Sequence, residues 1–71
     1  IDAGSESFIR ETLLDLSLNG ISIIIISHDI DELLEVCHDV CVLYEGHLSK
    51  NLKVEQIDVT QLGKYMGGLF D

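Results

Sequence analysis

The stretch Ile21-Ser22-Ile23-Ile24-Ile25-Ile26-Ser27-His28-Asp29 decides the predicted fold of this 71-residue chain. Its four consecutive isoleucines do not alternate with polar residues, so both faces of the strand that they form should be covered. Strands covered on both faces are typical of parallel sheets that lie between layers of helices. We therefore predict a central parallel strand at residues 21–27, which delivers His28 to its carboxyl end.

Helices are predicted on both sides of this strand. Residues 5–18 carry apolar side chains at helical spacing, and Gly20 is a strong stop signal because glycine tolerates the left-handed backbone at a helix end. Residues 29–37 form the second predicted helix, in which Asp29 and Glu32 have the spacing of a capping box. The order helix, strand, helix is typical of a layered α/β fold.

The second half of the chain has the pattern of a hairpin. Residues 40–44 form a predicted strand, and Glu45-Gly46 is a tight hairpin turn. Residues 47–52 return as an amphipathic edge strand, and residues 53–56 form a linker.

A short helix is predicted near the end of the chain. Either Asp58 or Thr60 caps it, because both side chains accept hydrogen bonds from free backbone amides. Its predicted apolar stripe consists of Leu62, Tyr65, Met66 and Leu69.

Composition excludes several classes of function. Thirteen Asp and Glu oppose four Lys and Arg, which gives a formal net charge of −9 and argues against binding nucleic acid or an anionic membrane surface. The longest apolar run, residues 23–26, is far shorter than the roughly 20 residues that span a bilayer. No signal peptide is visible, and the two cysteines suit reduced thiols in the cytosol. We expect a single small domain that is a piece of a longer protein.

His28 is the leading candidate for chemistry. Ligands of open α/β sheets bind at the carboxyl ends of the strands, and an imidazole there can donate to a phosphate oxygen or orient a water. The alternative is a histidine that only bonds the backbone of the turn. Asp2 is either an acid at an interface or an ordinary turn aspartate that bonds its own backbone.

A metal site is not favoured by the sequence. The spacing of Cys37 and Cys41 matches no usual zinc pattern, although His38 and His47 lie nearby. We expect Cys41 to be a small buried hydrophobe and Cys37 to lie on the apolar stripe of the second helix. The acidic run in residues 29–35 is expected to be a solvated helix face.

The order of these motifs resembles that of the ATPase domain of ABC transporters. Ile1-Asp2-Ala3-Gly4 resembles the D-loop, and residues 23–29 resemble the H-loop strand with its switch histidine. Residues 32–48 resemble the helix and hairpin that follow. The tail at residues 57–68 is similar to the end of the second ATPase cassette of simple-sugar and nucleoside importers.

The resemblance implies that residues 1–71 are the C-terminal portion of a P-loop NTPase (RecA-like) core sheet with flanking helices, a β-hairpin and a C-terminal helix. His28 would contact the γ-phosphate of ATP and help hold the attacking water in line, because phosphoryl transfer depends mostly on positioning. Ser27 would join the nucleotide site, and Asp2 would couple two cassettes. ATP and Mg²⁺ would serve the complete protein, which would lie at the inner face of the cell membrane on its permease.

The sequence contains no GxxxxGK[ST] phosphate loop, no LSGGQ-like signature and no Walker B aspartate. We therefore expect the 71-residue chain alone to carry no cofactor and no catalytic activity, and to self-associate through the bare edges of residues 21–27. Two alternatives remain open: a small acidic α/β interaction module without catalysis, and a metal or redox domain that uses Cys37 and Cys41.

Overall fold

The computed structural model describes the backbone of residues 3–70 and the side chains of residues 7–70. The chain divides into two compact units, of which the first extends to Val36 and the second begins at Cys37. Asp2 lies outside the described residues. Within residues 3–70, no helix is both long enough and apolar enough to cross a membrane.

The first unit contains helix α1, Ala3–Leu18, which ends where the sequence predicts but begins two residues earlier than predicted. The helix ends in a Schellman motif, in which the amide of Ile21 donates to the carbonyl of Leu16 at 3.2 Å and that of Gly20 donates to Ser17 at 3.0 Å. Gly20 has a φ of +85°, the left-handed conformation that this motif requires. The predicted stop signal is therefore confirmed.

Helix α2, Ile30–Val36, is also confirmed, although it ends one residue before Cys37. The Oδ1 atom of Asp29 accepts the amide of Glu32 at 3.1 Å, as a capping aspartate should. Arg10 of α1 and Glu35 of α2 form an ion pair of 2.8 Å between Nη1 and Oε2. Exposed pairs of this kind contribute little, about 0–1 kcal/mol.

Residues 21–29 connect α1 and α2 without forming a strand, so the predicted central parallel strand is wrong for this chain. Ile24 and Ile26 are 91% and 96% exposed, whereas Ile23 and Ile25 are half-buried. A strand exists only beside a partner, and the strands that do form are two residues long, antiparallel and confined to residues 39–53. The predicted strand at residues 40–44 forms only in part, as two-residue strands at Asp39–Val40 and Leu43–Tyr44, and both pair antiparallel.

The second unit contains the predicted hairpin, in interrupted form. Strands β2, Leu43–Tyr44, and β3, His47–Leu48, pair around the turn, and strands β1, Asp39–Val40, and β4, Leu52–Lys53, pair farther along. Glu45 and Gly46 both have positive φ, 46° and 80°, which is the two-residue turn that suits the twist of a hairpin.

A one-residue β-bulge separates the two strand pairs. Val40 pairs with Leu52, and Leu43 pairs with Leu48. The chain therefore advances three residues between these pairs on one strand and four on the other, which leaves one extra residue on the second strand. Ser49, only 6% exposed, holds this irregular point together. Its amide donates to the carbonyl of Val42 at 2.8 Å, and its Oγ accepts the amide of Val42 at 2.8 Å in place of a ladder carbonyl.

Helix α3, Val59–Met66, follows a short 3₁₀ turn at Val54–Gln56, where a linker was predicted. Asp58 caps it, since its Oδ1 accepts the amides of Thr60 and Gln61 at 2.9 and 3.4 Å, and Thr60 is not the cap. The buried core of the described residues consists of Leu52, Leu62 and Tyr65. The predicted stripe is therefore half correct, because Met66 and Leu69 are exposed.

Candidate functional site

The turn Ser27-His28-Asp29 holds the leading candidate residue at the entrance to α2. The amide of Asp29 donates to the Oγ atom of Ser27 at 3.0 Å, and the carboxylate of Asp29 caps α2 through Glu32. In a reciprocal capping box Glu32 would accept the Asp29 amide, but here the hydroxyl of Ser27 takes that place. The two hydrogen bonds fix the backbone on both sides of His28.

The His28 side chain is exposed. Among the described residues, none forms a hydrogen bond with its ring, so the imidazole does not serve the backbone of the turn. A ring N–H is therefore open to a ligand that carries a hydrogen-bond acceptor, such as a phosphate oxygen. Of the three predicted site residues, Ser27 and His28 lie together on this turn, and Asp2 lies outside the described residues.

The cysteines do not lie as predicted. Cys41 is exposed, not buried, because it sits beside the bulge, where its Sγ lies 3.7 Å from the Oδ1 atom of Asn51. Cys37 is half-buried just beyond the end of α2, and burial raises the pKa of its thiol. In the part of the chain that the structure describes, no three His, Cys, Asp or Glu side chains group closely enough to hold a metal ion.

The acidic side chains of α2 lie on its solvent face, as predicted. Asp31, Glu32 and Glu35 are exposed, whereas Leu33 and Leu34 are half-buried. Glu35 is engaged by the guanidinium of Arg10, so part of this charge is neutralised locally.

A shallow cleft of about 330 Å³ in the second unit was not predicted. It depends on the bulge and on the 3₁₀ turn, neither of which has a recognisable signature in the sequence. None of the predicted site residues lines it, and its lining residues are Lys50, Asn51, Leu52, Lys53, Gln56, Ile57 and Gln61.

The chain is similar over most of its length to ATP-binding proteins of sugar import. The glucose import ATP-binding protein TsgD13 of Haloferax volcanii is 31% identical over 68 residues, which cover 96% of this chain and 12% of that protein. The galactose/methyl galactoside import ATP-binding protein MglA of Treponema pallidum is 35% identical over 54 residues, 76% of this chain and 11% of that protein. The ribose import ATP-binding protein RbsA 2 of Burkholderia cenocepacia is 37% identical over the same shares.

These similarities confirm the predicted resemblance to the ATP-binding proteins of ABC-type sugar importers. The chain spans only about an eighth of the length of these curated relatives. No protein-family profile matches it, and no solved structure matches it.

Proposed function

We propose that this chain is part of the ATP-binding subunit of an ABC transporter that energises uptake of a small solute, with a sugar or nucleoside as the favoured class. The similarity to three import ATP-binding proteins supports this role. The match to the glucose importer covers 68 of 71 residues, so it necessarily extends across Ser27, His28 and Asp29. We also propose that the complete protein has the P-loop NTPase core sheet that the resemblance of the sequence implies.

His28 is proposed to contact the γ-phosphate of ATP, with Ser27 beside it. The observation that carries this role is the exposed imidazole on a turn that Ser27 and Asp29 fix from either side. An imidazole N–H there would donate to a phosphate oxygen and orient it, which is the positioning and electrostatic help that phosphoryl transfer needs.

The fit of this chain to ATP is limited to that single contact. The sequence has no phosphate loop, and the described residues contain no cluster of ligands for Mg²⁺. Other parts of the complete protein would therefore hold the nucleotide and its metal ion. We place Asp2 at the contact with a second cassette and the complete protein on a permease, at the cytoplasmic face of the cell membrane.

The test of this role is ATP hydrolysis by the complete protein that contains these residues. His28→Ala should lower kcat by about a hundredfold or more, because it removes a donor to developing phosphate charge, while ATP binding is largely retained. His47→Ala is the matched control, because His47 is an exposed histidine in the hairpin with no assigned role. Unchanged hydrolysis in His28→Ala would reject the assignment.

The 71-residue chain alone is predicted neither to bind ATP tightly nor to hydrolyse it, since one imidazole cannot hold a triphosphate. Thermal unfolding with and without Mg²⁺–ATP measures this directly. An ATP-dependent stabilisation that disappears in His28→Ala would contradict the prediction.

A second candidate function is a small acidic interaction module without catalysis. The exposed Ile24 and Ile26 favour it, because large apolar side chains that face water offer a surface for a partner. The upstream coding sequence separates the two candidates: a strand that ends in acidic residues immediately before Ile1 supports the ATPase, and an initiator Met there supports the module.

A further inference from the structure

The segment from residue 21 to residue 27 has the composition and the side-chain alternation of a β-strand, but no partner strand among the described residues. It lies between α1 and α2 in neither a helix nor a strand, and its isoleucine side chains alternate, with Ile23 and Ile25 half-buried and Ile24 and Ile26 almost fully exposed. This alternation is the pattern of a strand with one covered face and one bare face. The segment therefore already presents the alternating side chains that pairing with a second strand requires.

Its backbone polar groups are also unused. Within the described residues, no backbone hydrogen bond involves residues 22–26, on either the N–H or the C=O side. A row of free amides and carbonyls along an apolar segment is a template for pairing with another chain. In residues 22–26, backbone groups that form no hydrogen bond within the described part of the chain thus occur together with an exposed apolar face, that of Ile24 and Ile26.

We propose that a second copy of this chain pairs with the segment, so that residues 21–27 of the two copies form an intermolecular β-ladder. The charge pattern selects this occupant. Residues 16–28 contain no Asp, Glu, Lys or Arg, although the whole chain has a net charge of −9. Two copies can therefore meet here without placing carboxylates opposite each other. A short, uncharged, Pro-free run of isoleucines is also the composition that pairs with itself.

The flanking residues favour an antiparallel arrangement. Parallel, in-register pairing would place Asp29 of one copy beside Asp29 of the other, which is a like-charge contact. Antiparallel pairing centred on Ile25 sets Asp29 opposite Ile21 of the other copy, where no charge opposes it. In this register Ile24 lies opposite Ile26, so the bare faces of the two copies lie on the same side of the ladder. It also relates the two copies by a two-fold axis, so that the same surface serves both.

This pairing does not rest on the proposed ATPase role, because it concerns the 71-residue chain alone. In the complete ATPase proposed above, the same strand would pair within its own sheet. The test is sedimentation velocity of the 71-residue chain over a range of concentrations. The wild-type chain should associate, and added salt should strengthen the association by screening the net negative charge. Amide exchange of residues 22–26 should slow as the concentration rises.

The double substitution Ile24→Lys with Ile26→Lys should raise the apparent dissociation constant by at least about a hundredfold, because two isoleucines lose their apolar contacts. Both side chains are over 90% exposed, so the monomer should keep its helices by circular dichroism. The double variant also lowers the net negative charge, which by itself would favour association of an acidic chain. Weaker association of the double variant therefore cannot result from the change in net charge.

Leu18→Lys is the matched control, since Leu18 is 87% exposed, apolar and in the same unit, but lies at the end of α1. This control should associate as strongly as wild type or more strongly. A monomer at every concentration would overturn the proposal, and so would association that the double variant leaves unchanged. Neither result would bear on the role of His28, which the hydrolysis assay tests separately.

Discussion

Gly68→Ala tests the packing of the second unit most directly, because a methyl group at residue 68 has no room. A Cβ atom there would lie 2.5 Å from Cε1 and 2.6 Å from Cδ1 of Tyr44, on the strand β2. Gly68 also has a φ of +85°, which side chains other than glycine rarely adopt. The substitution therefore combines backbone strain with a steric clash.

Two other glycines separate these two costs. Gly46 has a φ of +80° but nothing within 4 Å of its Cβ position, so Gly46→Ala carries backbone strain alone, about 1–2 kcal/mol. Gly63 lies inside α3 with nothing within 4 Å, so Gly63→Ala should stabilise by about 0.5–1 kcal/mol. Gly68→Ala should destabilise by about 2–5 kcal/mol, because displacing the Tyr44 ring adds about 1–3 kcal/mol to the strain.

Urea unfolding followed by tyrosine emission measures these differences in the relevant unit. The chain has two tyrosines and no tryptophan, and both Tyr44 and Tyr65 lie in the second unit. The expected order of stability is Gly63→Ala, wild type, Gly46→Ala and then Gly68→Ala. If Gly68→Ala costs no more than Gly46→Ala, the Tyr44 ring is free to swing away and the packing argument is wrong.

Three further substitutions or reactions test the second unit and its boundary. Asp58→Ala should cost about 1 kcal/mol in the same urea assay because the amides of Thr60 and Gln61 lose their acceptor, while Asp58→Asn should retain most of the stability. Ser49→Ala should cost about 1–3 kcal/mol because the amide of Val42 loses its partner, and a cost as small as that of an exposed serine would show that water replaces the hydroxyl. Iodoacetamide should label Cys41 before Cys37 by mass spectrometry at about pH 8, because burial raises the pKa of the Cys37 thiol and lowers its thiolate fraction. Equal labelling rates of the two cysteines would contradict the raised pKa of Cys37. Because this pKa is higher in the folded chain than in the unfolded chain, the contribution of Cys37 to stability is present at neutral pH and is lost as the pH rises through the raised pKa.

Signals whose partners lie within a few residues were readable from the sequence. Gly20 ends α1, Asp29 caps α2, Gly46 turns the hairpin, and Asp58, one of the two predicted candidates, caps α3. Each of these residues acts on backbone within about one helical turn. The bulge at Ser49 was not readable, because nothing in the residue types shows that a hydroxyl will replace a carbonyl in the ladder. The burial of Cys41 was mispredicted for the same reason.

The isoleucine run shows why the prediction of a central parallel strand was wrong. A strand buried in a sheet and a strand that lacks a partner have the same composition, because both need β-branched residues and neither needs charge. The distinction depends on a second strand that no local signal reports. In this chain one face, that of Ile23 and Ile25, is partly covered, and the face of Ile24 and Ile26 is bare.

The turn at His28 and the strand before it depend on different interactions, which has a direct consequence for the proposed function. The hydrogen bonds of Ser27 and Asp29 are local, so the exposed position of His28 does not require a sheet. Placing His28 against a phosphate does require one, because only neighbouring strands could bring a phosphate loop opposite it. The 71-residue chain should therefore keep its α2 cap while self-pairing occupies residues 21–27. In the complete ATPase that we propose, the strand would pair within its own sheet and the same turn would meet ATP.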